Sequence, residues 1–319
     1  MDLLSDLLRT VRLGGSIMLR AEFSAPWQYA TANSAALAHV LLPRAKRLIQ
    51  FHYIAAGSCI ARVGSEQEEL RTGDAIVFPY GDQHVMGQGD APVEDIFSVL
   101  PEPPPWEHPP QISAGGGGET TEILCGFLHC DDALFNPLFD TLPRMMVARA
   151  DEGPTAALLH SGLQTLAGSL REKQPGGVSI RERLTELLFV EVVRQHASNL
   201  SPEQAGWVAA ISDEGIRRAL ERIHSEPEND WSVEELAKHA GMSRSSFHDR
   251  FTELLDDSPA HYLMRWRMQR AAHLLVDSDE TLLQIAGRVG YGSEAAFSRA
   301  FKRHSGESPS VWRQERSSL

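Results

Sequence analysis

A helix-turn-helix pattern that occurs twice near the C-terminal end constrains the fold of this chain more than any other feature. The first copy spans residues 236–251 and the second spans residues 285–301. Each copy has an aliphatic residue followed by alanine, then a glycine, then a serine and two phenylalanines one helical turn apart. Repeats at this spacing indicate two related supersecondary units. Two such units in one domain are suited to reading two nearby stretches of DNA; the alternative is a pair of helical hairpins in an all-α core.

Local signals for helix ends accompany both copies. Ser232 with Glu235, and Thr281 with Gln284, have the spacing of a capping box, in which each residue satisfies a backbone N–H of the other. A glycine falls in each turn, where a positive φ is needed, and a serine follows it as the expected N-cap of the second helix. The turn glycines are Gly241 and Gly290, and the N-cap serines are Ser243 and Ser293.

The segment between the copies predicts a long helix that fixes the spacing of the two units. Residues 259–277 begin with proline and then show roughly helical apolar spacing. From about Gly215 to Arg313 the chain resembles the AraC/XylS family of bacterial transcription regulators. The residues that carry the resemblance are Arg267-Met268, Arg270-Ala271, Leu274-Leu275, Ile285-Ala286, Val289-Gly290-Tyr291, Phe297-Ser298-Arg299, Phe301-Lys302, Gly306 and Ser308-Pro309.

The resemblance implies a seven-helix reader of double-stranded promoter DNA, with RNA polymerase as a further partner. Its two recognition helices would enter successive major grooves on one face of the DNA. The base-reading positions then fall on Ser245, His248 and Asp249 in the first helix and on Ala295, Ser298 and Arg299 in the second.

Arg299 is expected to form two hydrogen bonds with a guanine edge. Asp249 and Ala295 are poor hydrogen-bond donors, so the first helix is expected to read bases weakly. Simple solvation is the alternative for each of these side chains. The remaining expected DNA contacts, mainly to phosphates, are Arg244, Arg250, Ser293, Lys302 and Arg303.

The charge balance limits how such a domain can bind DNA. The chain has 30 Lys and Arg against 43 Asp and Glu, a net charge of −13. From Asp213 onward, 15 basic residues face 18 acidic ones. DNA-binding domains are usually basic, so the positive surface must be local. The balance disfavours tight non-specific binding, but not specific binding.

The first half of the chain predicts a β-barrel. Short apolar segments, at residues 48–54, 59–63, 75–78 and 123–128, have strand lengths and are separated by glycine-rich turns. Residues 73–86 resemble the second conserved motif of the cupin barrel, within a resemblance that covers about Ser16 to Phe97. Residues 125–143 resemble a segment that follows the cupin-like domain in one branch of the AraC family.

Two further segments complete the domain plan. Residues 101–118, rich in proline and ending in four glycines, cannot form one regular element and predict a surface loop. Residues 155–198 predict two amphipathic helices that form a dimer face or simply pack on the barrel. The fold class is therefore α+β. A cupin-like sensor domain spans 1–150, a helical linker or dimerisation segment spans 151–211, and a double helix-turn-helix DNA-binding domain spans 212–319.

The predicted barrel contains a candidate metal site. Cupins often bind a metal through histidine and carboxylate side chains, and His84 matches a ligand position of the second motif, whereas His52 lacks the paired histidine of the first. Together, His52, His84, Cys125 and Cys130 form a plausible Cys₂His₂ zinc set, with His129 as a substitute ligand. Strand parity places the two cysteines on opposite faces unless a bulge intervenes. The alternative is a buried thiol beside hydrogen-bonded histidines.

Two classes of function follow. The first is a sequence-specific transcription regulator controlled by a small-molecule, metal or redox signal in the barrel; in the redox version Cys125 and Cys130 exchange between thiol and disulfide. The second is a cupin-type metalloenzyme with a helical accessory domain, which the incomplete first motif disfavours. The N-terminus does not read as a signal peptide and no segment reads as a membrane span, so we expect a cytoplasmic protein with three reduced cysteines.

Overall fold

The chain divides into two compact units. The helical unit comprises Met1–Val11, Asp132–Thr141 and Leu200–Leu319, and the sheet unit comprises Arg12–Asp131 and Leu142–Asn199. These units draw on non-contiguous segments, unlike the three consecutive segments of the domain plan, whose boundaries stay a prediction. The computed structural model describes residues 2–9, 13–42, 45, 48–101, 106, 109–130, 134–139, 142–150, 157, 159–164, 176–199 and 206–316.

Two β-sheets make up most of the sheet unit. One has the strand order β11-β6-β3-β10-β1-β9 and the other β5-β4-β7-β2-β8. The β1–β9 and β2–β8 pairs are parallel, and the other described pairs are antiparallel. The strands are β1 (Leu13–Ser24), β2 (Trp27–Ala30), β3 (Leu48–Ala56), β4 (Ser58–Val63), β5 (Glu66–Arg71), β6 (Ala75–Phe78), β7 (Val85–Gln88), β8 (Glu94–Asp95), β9 (Gln111–Gly115), β10 (Thr120–Cys130) and β11 (Met146–Ala148).

An apolar core drawn from both sheets holds this unit together. Phe23 stacks on Trp27 with ring centroids 4.6 Å apart and tilts against Tyr29 at 4.7 Å. The four strands expected from the sequence are confirmed. The expectation of a loop throughout residues 101–118 is wrong for β9, because parallel pairing with Arg20–Ser24 gives its backbone hydrogen-bond partners.

Of the two predicted linker helices, the second is α3 (Gly177–Asn199), while the first is described only at residue 157 and residues 159–164. Helix α3 packs against β1, β6 and β11 and buries Leu188, Val192 and Val193. Packing on the sheet unit is therefore confirmed for α3. Its first turns leave Val178 and Ile180 exposed, and a dimer face stays a prediction. The described residues of this unit also form helix α2 (Ser34–Leu41) and a short 3-10 helix at Ile96–Val99.

The helical unit contains the seven helices that the resemblance implies, α5 to α11, within its described residues. The long helix α8 lies between the two helix-turn-helix pairs, α6–α7 and α9–α10. No helix of the described residues is long and apolar enough to cross a membrane. The helices are α1 (Leu3–Arg9), α4 (Trp207–Ser212), α5 (Glu214–Ser225), α6 (Val233–Ala240), α7 (Arg244–Leu255), α8 (Pro259–Asp277), α9 (Leu282–Arg288), α10 (Glu294–Ser305) and α11 (Pro309–Arg316).

The local helix signals have the structure that the sequence predicts. Both capping boxes form, at Ser232 with Glu235 and at Thr281 with Gln284. The turn glycines have positive φ values, 71° at Gly241 and 79° at Gly290. The expected N-cap serines also form: Ser243 accepts from the Ser246 N–H and Ser293 from the Ala296 N–H. Each of these features depends on neighbours within one helical turn, which explains why sequence could predict them.

Helix α8 contributes to the apolar core of both helix-turn-helix pairs. On the first pair, the fully buried Phe251 packs edge-on against Tyr262 of α8, with ring centroids 5.6 Å apart. On the second pair, Phe301 shares a cluster with Met268 and Leu275 of α8. One helix therefore joins the two pairs through continuous packing.

Candidate nucleic-acid interface and sensor cavity

The first recognition helix, α7, presents the expected base-reading residues to solvent. Ser245, His248 and Asp249 are all exposed. His248 Nδ1 lies 3.6 Å from Asp249 Oδ1, so an acidic side chain stands beside the imidazole. Arg244, at the start of α7, is exposed as well. The buried phenylalanines of α7 hold this outward face in place, and the base contacts themselves stay a prediction.

Arg250 of α7 is bound to carboxylates of its own unit. Its Nε donates to Asp213 Oδ2 at 3.0 Å, and its Nη1 donates to Glu253 Oε2 at 2.9 Å. These hydrogen bonds, with the Glu253 bond the larger cause, raise the pKa of Arg250. Asp213 is also the N-cap of α5. The structure thus gives Arg250 an intramolecular role that sequence reasoning did not anticipate, and its expected phosphate contact stays a prediction.

The second recognition helix, α10, presents an exposed basic face. Arg299, Lys302 and Arg303 are exposed, and no carboxylate of the described residues forms an ion pair with them. Ala295 is also exposed and Ser298 is half-buried. The expected base-reading and phosphate-binding residues of the second unit therefore share one helix. This is the local positive surface that the acidic composition requires.

Arg267 of α8 ties the two helix-turn-helix units together, a role that the sequence did not reveal. Its Nε donates to the Pro227 carbonyl at 2.6 Å, and its Nη2 donates to the Asn229 carbonyl at 2.9 Å. Burial lowers the pKa of Arg267. The guanidinium also lies close to Gly290, where an added Cβ would come within 2.7 Å of Nη2. Arg267 therefore joins the loop before the first unit to the turn of the second.

A segment from the middle of the chain, residues 134–139, belongs to the helical unit, and we call it the docking segment. The Phe135 N–H donates to Gln269 Oε1 at 2.9 Å, and the Phe135 ring packs edge-on against Tyr262 at 5.2 Å. The guanidinium of Arg265 lies 3.9 Å above the Phe135 ring. All three partners are on α8.

The same segment also reaches the second helix-turn-helix unit. Leu134 packs on the apolar cluster that contains Phe301, and its backbone forms a hydrogen bond with His304 at the end of α10. Leu138 and Phe139 are buried. The docking segment therefore contacts α8, which joins the two helix-turn-helix units, and the end of α10.

The structure brings together three of the four predicted zinc ligands, inside the sheet unit. Cys125 on β10 and His52 on β3 are cross-strand neighbours in register. The Cys125 Sγ atom lies 3.0 Å from His52 Nδ1, and His52 Nε2 lies 2.6 Å from His84 Nε2. His84 Nδ1 lies 2.8 Å from the Asp82 carbonyl. The side chain of Cys130 lies outside the described residues, and His129 is not part of this group.

These contacts form a hydrogen-bond chain with one consistent direction. The Asp82 carbonyl can only accept, so we assign the donated proton to His84 Nδ1, which leaves His84 Nε2 as an acceptor. His52 Nε2 then donates to it, and His52 Nδ1 accepts from the Cys125 thiol. Burial, reinforced by His84, lowers the pKa of His52 well below its usual value, and burial lowers the pKa of His84 to about 4. Burial raises the pKa of Cys125. The chain is therefore neutral at pH 7.

This arrangement does not offer three donors to a single metal ion. The two nitrogens of His52 point to different partners, one to Cys125 and the other to His84, and one ion cannot bind both sides of the same ring. Among the described residues, no group of three or more His, Cys, Asp or Glu side chains has the geometry of a metal site. The four-residue zinc set stays a prediction, and it requires the His52 and Cys125 side chains to turn.

His52 and Cys125 also border a cavity between the two sheets. Most of the side chains that line it are apolar. Three consecutive residues of β10, Cys125, Gly126 and Phe127, form part of its wall. The other lining residues are Met18, Leu19, Phe23, Trp27, Tyr29, Thr31, Ala32, Leu37, Gln50, His52, Met86, Ile96, Phe97, Leu100, Trp106 and Ile123.

Comparison with known proteins assigns a family to each part of the chain. The Cupin family profile matches residues 2–198, and a Helix-turn-helix domain profile matches residues 236–315. The HTH-type transcriptional regulator AlkR of Acinetobacter baylyi is 31% identical, over 99% of this chain and 100% of its own length. An uncharacterized HTH-type transcriptional regulator of Haemophilus influenzae is 30% identical, over 98% and 99%. The DNA-binding domain of AdpA, solved with a target DNA, is 33% identical over 32% of this chain and 92% of that domain, with a TM-score of 0.31.

Proposed function

Because the chain belongs to the AraC-like family of HTH-type transcriptional regulators with an N-terminal cupin domain, we propose that a small molecule in its sheet-unit cavity controls how α7 and α10 bind promoter DNA. The observation that carries this proposal is the pair of outward-facing recognition helices joined by the packing of α8. The basic residues of α10, such as Arg299, would supply most of the attraction to DNA. RNA polymerase and a second copy of the chain are the further partners we infer.

The course of the chain supports a route from the cavity to the DNA-reading helices. Cys125, Gly126 and Phe127 line the cavity, and β10 ends at Cys130. The next described residues are the docking segment, which packs on α8. We infer that a ligand which shifts β10 changes the hold of this segment on α8, and with it the relative geometry of the two units. An allosteric effect requires that the ligand bias two arrangements of such an element.

A small-molecule signal fits the cysteines better than a redox signal. Burial raises the pKa of Cys59 to about 12 and also raises that of Cys125. A thiol kept protonated and away from water reacts slowly with oxidants, because the thiolate is the reactive form. The redox version, which depends on Cys130, is therefore our second choice. The metalloenzyme alternative draws no support from the full-length relatives, which are named as regulators.

Selection of bound DNA from a random pool by the full-length protein tests the proposal. We expect enrichment of one sequence with two elements about 10 base pairs apart, because two recognition helices on one DNA face occupy successive turns. Arg299→Ala should weaken binding to that sequence, whereas the matched variant Arg222→Ala, on α5 and away from the recognition helices, should bind normally. A pool that shows no enriched sequence would contradict the proposal.

Metal analysis of the purified full-length protein tests the zinc set separately. If His52, His84, Cys125 and Cys130 hold zinc, we expect about one equivalent per chain. His84→Ala should release the metal and lower the melting temperature of the sheet unit, since metal binding is coupled to folding. His39→Ala, at an exposed histidine, is the control. Purified protein that contains no metal and is fully stable to heat would contradict the zinc set. These residues would then serve only to form the neutral hydrogen-bond chain.

A further inference from the structure

We propose that the cavity binds a small, uncharged, mostly apolar molecule that carries one hydrogen-bond acceptor, such as a ketone, ester or ether oxygen. The inference rests on the proposed function, because it names the chemical class of the effector. Three observations carry it: among the described residues the lining lacks charge, Gln50, Thr31 and His52 of the lining bond within the protein, and one buried N–H of the lining has no partner.

The lack of charge in the lining excludes ionic ligands. Among the described residues, no Asp, Glu, Lys or Arg side chain borders the cavity. A carboxylate or ammonium group placed there would lose its hydration and gain no opposite charge in return. The effector is therefore neutral at physiological pH.

Three polar side chains of the lining, Gln50, Thr31 and His52, have already formed hydrogen bonds within the protein. Gln50 Nε2 lies within 2.9 Å of the Ala32 carbonyl and 3.2 Å of the Gly81 carbonyl. Thr31 Oγ1 donates to the His84 carbonyl at 3.3 Å and accepts from the His84 N–H at 3.3 Å. His52 uses both ring nitrogens in the chain that links Cys125 to His84. A ligand with several hydroxyl groups would find too few free partners to replace its bonds to water, so sugar-like effectors are excluded.

Trp27 supplies a buried donor that calls for a ligand acceptor. Its side chain is buried, at 2% exposure, and its Nε1 has no hydrogen-bond partner among the described residues. A buried indole N–H normally has a partner. Trp27 lines the cavity and stacks on Phe23, with ring centroids 4.6 Å apart. An oxygen atom of the ligand would satisfy this N–H while the rest of the molecule contacts apolar side chains.

The cavity is smaller than a single-ring molecule in this arrangement of its wall. The cavity volume is about 30 Å³, room for about two water molecules. Phe97, Leu100 and Trp106 lie outside the strands, so this part of the wall can yield without breaking a sheet. A single-ring ligand would require such a movement, which makes its binding a structural signal in itself.

Calorimetric titration of the full-length protein with three matched probes tests this class. Acetophenone is neutral and has one acceptor, ethylbenzene lacks the acceptor, and benzoate is charged. We expect acetophenone to bind about fivefold more tightly than ethylbenzene, the net worth of one buried hydrogen bond, and benzoate not to bind. Absence of acetophenone binding, or benzoate binding as tight as that of acetophenone, would overturn the proposal.

Two variants with matched controls locate the site. Trp27→Phe keeps an apolar ring and removes the N–H, so the preference for acetophenone over ethylbenzene should fall to about one. Trp312→Phe removes another buried N–H that lacks a partner among the described residues, but in the helical unit, and it should keep the preference. An unchanged preference in Trp27→Phe would overturn the assignment of the donor. Ala32→Phe should block binding of both neutral probes, whereas Ala36→Phe, at an exposed position of α2, should not; binding retained by Ala32→Phe would overturn the location even if Trp27→Phe does not fold.

Fluorescence anisotropy with the selected DNA separates this inference from the proposed function. A change in DNA affinity on addition of acetophenone supports both. Acetophenone binding that leaves DNA affinity unchanged upholds the ligand class and overturns the coupling. Selected DNA that binds well to a protein without affinity for acetophenone overturns the ligand class and leaves the DNA-binding assignment standing.

Discussion

The two helix-turn-helix units share the same arrangement of capping, turn and buried residues, which we call the frame. Their outward faces differ. In both units a capping box starts the first helix, a glycine with positive φ makes the turn, and a serine caps the recognition helix. In the first unit Arg250 is bound by Asp213 and Glu253. In the second unit Arg299 and Lys302 are exposed without a carboxylate partner among the described residues.

The difference teaches that frame and reading surface vary independently in this fold. Buried and capping positions set the frame, and replacing them is costly, whereas exposed positions tolerate change at little cost to folding. An acidic chain can therefore bind DNA when one recognition helix keeps a basic face. We expect the second unit to supply most of the electrostatic attraction and the first unit to add mainly positioning.

Alanine replacements in the two cores should have the largest effects, and similar ones. Phe251→Ala and Phe301→Ala each remove a fully buried ring, so each should lower the free energy of unfolding by about 3–5 kcal/mol. Urea unfolding of the full-length protein, followed by far-ultraviolet circular dichroism, measures this loss. Val311→Ala, at an exposed site, is the control. A large loss in only one of the two variants would show that the frames are not equivalent.

Replacing base-reading side chains should lower the DNA-binding free energy by different amounts in the two units. Arg299→Ala should cost about 1–3 kcal/mol of binding free energy on the selected DNA and relax one base position. Ser245→Ala, at a base-reading position of the first unit, should cost less. Lys302→Ala should weaken all sequences alike and reduce the salt dependence. Anisotropy titrations at several salt concentrations measure each effect, and equal losses for Arg299→Ala on selected and random DNA would make Arg299 a phosphate contact.

Alanine at the turn glycines should show a finer difference between the frames. Both glycines have positive φ, which costs a residue with a Cβ about 1–2 kcal/mol. At Gly241 the added Cβ would meet only Arg218, at 3.4 Å, whereas at Gly290 it would lie 2.9 Å from the Glu228 carbonyl oxygen and 2.7 Å from Arg267. Gly290→Ala should therefore lower the melting temperature more than Gly241→Ala. The reverse order would mean that Arg267 moves aside freely.

Removing one carboxylate partner of Arg250 should have the smallest effect. It should make the electrostatic contribution of the first unit to DNA binding more like that of the second. Asp213→Asn keeps an N-cap side chain for α5 and removes one carboxylate from Arg250. We expect DNA affinity to rise about twofold, with a slightly steeper salt dependence, as one more cation becomes available to phosphates. Glu226→Gln, which frees Arg222 on α5, is the matched control. Unchanged affinity in Asp213→Asn would mean that Arg250 does not face the DNA backbone.

The sequence predicted most of the helical frame and the main strands, because these depend on short-range signals. Capping pairs are three residues apart, and paired phenylalanines one turn apart define a buried face. Similar reasoning found β3, β4, β6 and β10 from their apolar runs. It missed β9, whose five residues form a strand only because β1 lies beside them.

Features that depend on residues far apart in the chain could not be predicted in the same way. The sequence suggested that His52, His84 and Cys125 converge, and they do. It could not show that the Asp82 carbonyl orients His84, which in turn fixes His52 between two partners. The bonds of Arg267 to the carbonyls of residues 227 and 229, and the attachment of the docking segment, likewise involve pairs separated by tens of residues.

The docking segment also determines the order in which the parts of this protein can fold during translation. Phe135 and its partner Gln269 are 134 residues apart in the chain, so the segment leaves the ribosome long before its binding site exists. At roughly 5–20 residues per second, the wait is on the order of ten seconds. During that interval Phe135 lacks the partners on α8 that hold it in the folded protein. The nascent chain therefore carries the Phe135 ring without its α8 contacts, and the helical unit reaches its final form only when translation is nearly complete.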